Sequence, residues 1–159
     1  EKKIKPDIIE AAISSHIGDN YLVLYKKSMV MNKNFNKDIG KDAIYSFKRV
    51  SSILDHENKK SSKELTGRPD AVLFRKDEEK ILFEKLNEIR KSFTVKEDRK
   101  DYEELLTKLA AVKESTDNFF DNVVVNDENH DIKNNRLELM NMFCITFNAY
   151  IDFSKLDGV

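Results

Sequence analysis

The sequence predicts an all-α fold, an antiparallel bundle of about five to six helices. Three observations carry that prediction. Turn-formers are scarce, with 4 Gly and 2 Pro in 159 residues. The chain is rich in Leu, Ile, Lys and Glu, which suit helices better than sheets. Apolar residues recur three and four positions apart over long stretches, and no segment alternates cleanly as a half-buried strand would.

The elements follow in order. Pro6-Asp7 opens a short helix carrying Ile8, Ile9, Ala12 and Ile13, with Pro where a first turn tolerates it. Gly18 and Asp19 break the pattern, and Asp19 is the expected N-cap of a helix over about residues 20–34. Ile44, Phe47, Val50 and Leu54 place a third helix over about 38–57. The polar segment from His56 to Pro69 reads as a linker, with a candidate hinge near 58–69. Leu82, Leu86, Ile89 and Phe93 define a helix over about 77–93. Tyr102, Leu105, Leu109, Val112, Thr116, Phe119 and Val123 then step by three and four without a miss, predicting one long amphipathic helix. After a polar break, Leu137, Met140, Phe143, Cys144, Phe147 and Ile151 mark a last helix over about 132–153. The two final helices are expected to pack on each other as a hairpin. The whole of 1–159 reads as a single helical domain. The missing initiator Met makes it an expected fragment of something longer.

Composition excludes several classes. A lone cysteine forms no internal disulfide and argues against structural zinc. No run approaches the ~20 apolar residues of a membrane helix, so no membrane partner is expected. The net charge is −1, but the balance is uneven: residues 1–68 carry 14 Lys+Arg against 9 Asp+Glu, and residues 69–159 carry 14 against 20. A phosphate-bearing partner would therefore prefer surfaces built from the first half.

Catalytic chemistry is not legible. The glycines form no phosphate loop, and no Ser/His/Asp or Cys/His set is visible. Cys144 lies on an apolar helix face and reads as an inert thiol. His130-Asp131 would suit a metal-dependent hydrolase, but His16 and His56 are the only other histidines, and Asp131 reads better as a helix cap. Glu78-Glu79 and Glu103-Glu104 sit where first-turn acids favour the helix dipole. No catalytic residue and no metal site are assigned. Phe47-Lys48-Arg49-Val50 packs its apolar members and frees its cations, and Arg68 beside Pro69 is a further exposed cation. Such residues can bind phosphates or stack on unpaired bases.

The segment from Phe119 to Leu139, FFDNVVVNDENHDIKNNRLEL, closely resembles the C-terminal signature of the glycyl-tRNA synthetase beta subunit family. IDFSKL (Ile151 to Leu156) is similar to that family's closing stretch, which would put Val159 near the natural C-terminus. FKRVSSIL (Phe47 to Leu54) and DIIEAAI (Asp7 to Ile13) resemble its upstream helices. Lys133 stands where the family commonly has Arg, Ser52 where it has Asn, and Val125-Asn126 replaces a Met-rich helix end.

The resemblance implies a DALR-type helical anticodon-binding domain, a class shared with arginyl- and cysteinyl-tRNA synthetases. Its mark is the start of the last helix, here Arg136-Leu137-Glu138-Leu139. It further implies a cytoplasmic two-subunit ligase whose alpha subunit activates glycine with ATP and magnesium. This fragment would need neither cofactor and would bind the anticodon of glycine tRNA, whose second and third letters are both C. Phe119, Phe120, Asp121, Asn135, Arg136 and Leu137 form the structural signature, with an Asp121–Arg136 pair expected across the loop. Lys48, Arg49 and Arg68 are the preferred tRNA contacts, followed by Lys133. The rival expectation is a helical protein-interaction or scaffold domain, whose Tyr102–Val123 stripe docks on a partner instead of on its own fold.

Overall fold

A computed structural model describes residues 3–15, 21–61 and 63–157. Seven α-helices lie among them: α1 (Pro6–Ser14), α2 (Tyr21–Asn34), α3 (Asp38–Asn58), α4 (Asp77–Phe93), α5 (Tyr102–Ala111), α6 (Lys113–Asn122) and α7 (His130–Asn148). Short 3₁₀ turns occupy Ala71–Leu73, Glu97–Arg99 and Phe153–Lys155. The described residues include no strand. The expected Asp19 cap, Gly18, His16 and Val159 lie outside the described residues.

The periodic segments became helices close to where their apolar spacing put them, with two differences. The long helix from Tyr102 is interrupted at Val112, where a tighter turn joins α5 to α6. The Thr116 hydroxyl donates to the Val112 carbonyl at 2.9 Å, the kind of back-bonding that bends helices. The stripe survives the bend, because Tyr102, Leu105, Leu109, Val112, Thr116, Phe119 and Val123 are all buried. It is covered from within the chain, so it is not the partner-docking surface of the rival expectation.

The last helix differs at both ends. Asn129, not Asp131, caps α7, its Oδ1 accepting the Asp131 and Ile132 amides at 3.0 and 3.3 Å. An N-cap side chain must reach amides two and three positions ahead, which places the cap one residue outside the helix. At the other end the helix stops at Asn148, whose Oδ1 accepts the Phe153 amide at 3.2 Å. Ile151 and Phe153 are fully buried although both lie beyond the end of α7.

The arrangement of the long helices corrects the hairpin expectation. α3 packs on α5 and α7, and α4 packs on α6 and α7. The bent α5–α6 rod and α7 thus occupy opposite corners of a four-helix ring, with α3 and α4 at the other two. Residues 123–129 cross the diagonal. Periodicity shows that a helix has an apolar face, but not which neighbour covers it, and a short connection favours adjacency only on average.

At the centre, Phe143 and Phe147 stack with centroids 4.2 Å apart, and Phe153 lies 5.3 Å from Phe147 and 5.5 Å from Phe47. α1 and α2 close one side. The Asp152 amide donates to the Ala11 carbonyl at 3.1 Å, tying the segment after α7 to α1. Cys144 is half-buried, and burial, with a lesser contribution from Asp55, pushes its thiol up to about 12. This thiol is a poor nucleophile at neutral pH.

The join of α2 to α3 depends on Gly40. A Cβ there would lie 2.1 Å from the Asn34 carbonyl oxygen, a backbone atom with no room to move. Helix propensity alone favours Ala over Gly by roughly 1 kcal/mol. We expect the clash to outweigh it, so that Gly40→Ala lowers the midpoint of thermal unfolding followed by circular dichroism. A rise in that midpoint would show the α2–α3 turn to be adaptable.

Candidate nucleic-acid interface

Arg136 is 3% exposed and lies in the second turn of α7, in phase with Ile132, Leu139, Met140 and Phe143. Its Nε donates to Glu79 Oε1 at 2.9 Å, and its Nη1 donates to the Val124 carbonyl at 2.6 Å and to Asp127 Oδ2 at 3.0 Å. Asp121 is exposed at the end of α6 and is not the partner of Arg136. The anions that hold the guanidinium come from α4 and from the loop that crosses the ring. Phe119 is fully buried with Phe120 edge-on beside it at 5.2 Å, and Leu137 is fully buried.

Glu79 is completely buried. Its Oε2 accepts the amides of Arg75 and Lys76, both at 2.8 Å. The carboxylate therefore pairs with Arg136 while stopping the start of α4. Asn135 takes the next contact back along the chain, accepting the Asp70 amide at 2.6 Å and donating to the Asp70 carbonyl at 2.9 Å. Glu138 takes the next, its Oε2 accepting the Thr66 amide at 2.9 Å and the Gly67 amide at 2.6 Å. Gly67 has φ +70° and rests against Asn141 and Met142, a conformation that L side chains avoid. Residues 66–76 thus form a strap whose backbone is fastened at three places, two of them on α7 and the third ion-paired to it.

The strap region is basic. Residues 59–76 contain six Lys or Arg against Glu64 and Asp70. Arg68, Arg75 and Lys76 are exposed, and Val72 at the tip is 82% exposed.

The four cations singled out from sequence have different fates. Arg68 lies exposed on the strap. Lys48 is half-buried on α3 and has no ion-pair partner among the described residues. Arg49 is committed inside the fold: its Nη1 meets Asp117 Oδ1 at 2.7 Å, and its guanidinium lies 4.7 Å from the centre of the Phe120 ring. Lys133 turns toward Glu57 at 3.8 Å, with a side chain 15% exposed. Lys48 precedes Glu57 by nine residues, about 14 Å of helix axis, so these groups do not converge on one spot.

Sequence reasoning missed Glu79 and Glu138 as fasteners, while Asn135, part of the signature, satisfies backbone groups of the loop at Asp70. For Glu79 the signal was helical phase: it shares a face with Leu82 and Leu86, three and seven positions on, and so points inward despite its charge. His130 and Asp131 are exposed at the start of α7, and no three His, Cys, Asp or Glu gather as a metal site among the described residues. Among the same residues, no helix is long and apolar enough to cross a membrane.

Removing one member of a buried pair strands the other. Arg136→Met is expected to cost about 3–5 kcal/mol in urea unfolding, because Glu79 remains desolvated. Adding Glu79→Gln should recover part of that loss, since the amide oxygen can still accept from the strap. A single variant as stable as the parent would show that water reaches Glu79.

Comparison with known proteins places this geometry. The profile described as DALR anticodon binding domain matches residues 43–153. The chain is similar to the glycine–tRNA ligase beta subunit of Rickettsia prowazekii (strain Madrid E), 36% identical over 120 residues, covering 76% of this chain and 17% of that protein. The beta subunit from Rickettsia felis (strain URRWXCal2) is likewise 36% identical over 120 residues, with the same coverage. The protein of the same name from Sulfurihydrogenibium sp. (strain YO3AOP1) is 34% identical over 157 residues, covering 99% of this chain and 22% of that protein. The chain spans about a fifth of the length of these curated relatives. The profile match runs from the second turn of α3 through the buried Arg136 to the turn after α7, and by it the chain belongs to the DALR anticodon binding domain family.

Proposed function

We propose that this chain recognises the anticodon of glycine tRNA on behalf of a two-subunit glycine–tRNA ligase. The similarity to glycine–tRNA ligase beta subunits over nearly the whole chain carries the reading. In this proposal the 159 residues act as one helical unit of a longer beta subunit in the cytoplasm, and an alpha subunit is the protein partner. Activation of glycine with ATP and magnesium belongs to the rest of that ligase, and this unit contributes only affinity and discrimination.

The physical support comes from what a helical domain must do to read an RNA loop. Single-stranded loops are recognised by their splayed bases and by phosphates, on a surface rigid enough not to spend the binding energy on its own ordering. The fastened α7 and strap offer such a surface. Of the four cations proposed as contacts, Arg68 and Lys48 are placed to reach a ligand without breaking internal pairs. For Arg49 and Lys133 a contact would compete with Asp117 and Glu57.

The test is binding of this chain to glycine tRNA, followed by gel shift. Affinity should fall steeply with salt, and replacing either anticodon C should weaken binding by about 1–3 kcal/mol per lost hydrogen-bonded contact. Lys48→Glu should weaken all tRNAs alike. Equal affinity for every tRNA would sink the anticodon reading.

A further inference from the structure

We infer that the strap of residues 66–76 is the edge that grips the RNA, with Arg68, Arg75 and Lys76 on phosphates and Val72 against an unstacked base. This rests on the anticodon-binding reading above and assigns its contact surface. Three observations carry it. The strap and the chain leading into it, residues 59–76, hold six cations and two anions in a chain of net charge −1. The three cations of the strap itself face no carboxylate among the described residues: Arg68 and Lys76 have no ion pair there, and Arg75 donates to the Val72 and Phe74 carbonyls at 3.2 and 3.5 Å. By contrast Arg49, Lys113 and Lys133 each face a carboxylate within the fold.

The third observation is the fastening itself. An irregular segment on a protein surface is ordinarily the mobile part of a fold. Here Glu138, Asn135 and Glu79 hold the amides of residues 66, 67, 70, 75 and 76. Two side chains of the NNRLEL block are thus spent on the strap's backbone and none on its cations. The fastening leaves Arg68, Arg75 and Lys76 facing outward and sets the Ala71–Leu73 turn between them, with Val72 82% exposed at its crest. An apolar crest between cations matches the chemistry of an RNA loop, where phosphates flank bases whose faces are free. Glu138 and Asn135 are positioning residues, since they fix the strap and do not reach the ligand.

The experiment uses the 159-residue chain and fluorescently labelled glycine tRNA, with anisotropy read across a series of KCl concentrations. The triple variant Arg68→Ser, Arg75→Ser, Lys76→Ser should bind weakly, with a plot of log affinity against log salt shallower by about 2 for three lost phosphate contacts on a single strand. Val72→Ser should lower affinity by about threefold while leaving that slope unchanged, because it removes apolar contact and no charge. Glu138→Ala should weaken binding, and Glu138→Gln, which keeps an acceptor for the strap amides, should restore most of it. Circular dichroism melts confirm that each variant is folded. Parental affinity and slope in a folded triple variant overturn the strap assignment and leave the anticodon reading standing. Failure of the unaltered chain to bind glycine tRNA at all overturns both.

Discussion

The irregular backbone around the start of α4 and the entry to α7 depends on the buried contact between Glu79 and Arg136. Burying two opposite charges is expensive, and their attraction compensates only when the remaining lone pairs and protons are also satisfied. Here they largely are: the carboxylate accepts from the guanidinium and from two backbone amides, and the guanidinium also reaches a carbonyl and a second carboxylate. A hydrophobic pair of similar size would hold α4 to α7 just as firmly. It would not specify where the strap ends, where α4 begins, or how residues 123–129 cross the ring. The ion pair fixes three pieces of irregular backbone that apolar packing would leave undetermined.

The same logic explains how a nearly neutral chain presents a positive edge. Many cations are neutralised within the fold: Lys33 by Glu103, Arg49 by Asp117, Lys113 by the same Asp117, and Lys133 by Glu57. Surface pairs of this kind contribute little to stability. Their larger effect is on the map of the surface potential, which is flattened wherever a pair forms and keeps its sign wherever none does. Overall charge is therefore a poor guide to the partner of such a domain. What counts is which cations have been left without internal work.

Much of the architecture was legible in the sequence. The spacing of Leu82, Leu86, Ile89 and Phe93 located α4 to the residue, and the unbroken stripe from Tyr102 to Val123 located the rod that became α5 and α6. The bend at Val112 was less accessible, because a Thr hydroxyl returning to the carbonyl four residues back is a choice of rotamer that apolar spacing does not register. The signature block was recognised as FFD…NRLEL, but its internal chemistry was assigned by proximity along the chain. Asp121 and Arg136 lie 15 positions apart and looked like natural partners across a loop. Arg136 instead reaches Glu79, 57 positions away, which only the tertiary arrangement brings near. The chain leading into the strap, His56 to Pro69, read as a linker because it is polar, with Lys59, Lys60, Ser61 and Ser62 in a row. Nothing local reveals that Asn135 and Glu138, some 65–72 positions downstream, will hold the strap's amides.

The diagonal placement of α7 bears on how the molecule is made. A hairpin helix completes its contacts with the element synthesised just before it. This one closes a cleft between α3 and α4, whose walls were laid down 50 to 90 residues earlier. Until α7 arrives, the apolar faces of Phe47, Val50, Leu82 and Leu86 have no cover from that side. Glu79 is meanwhile a carboxylate facing an open cleft. A growing chain of this kind gains its cooperative core late and in a single step, because non-local contacts reward the closure of long loops only once the closing element is present. Apolar surface left open over such an interval is a general hazard for aggregation, and here it is covered only once α7 brings Arg136 to Glu79.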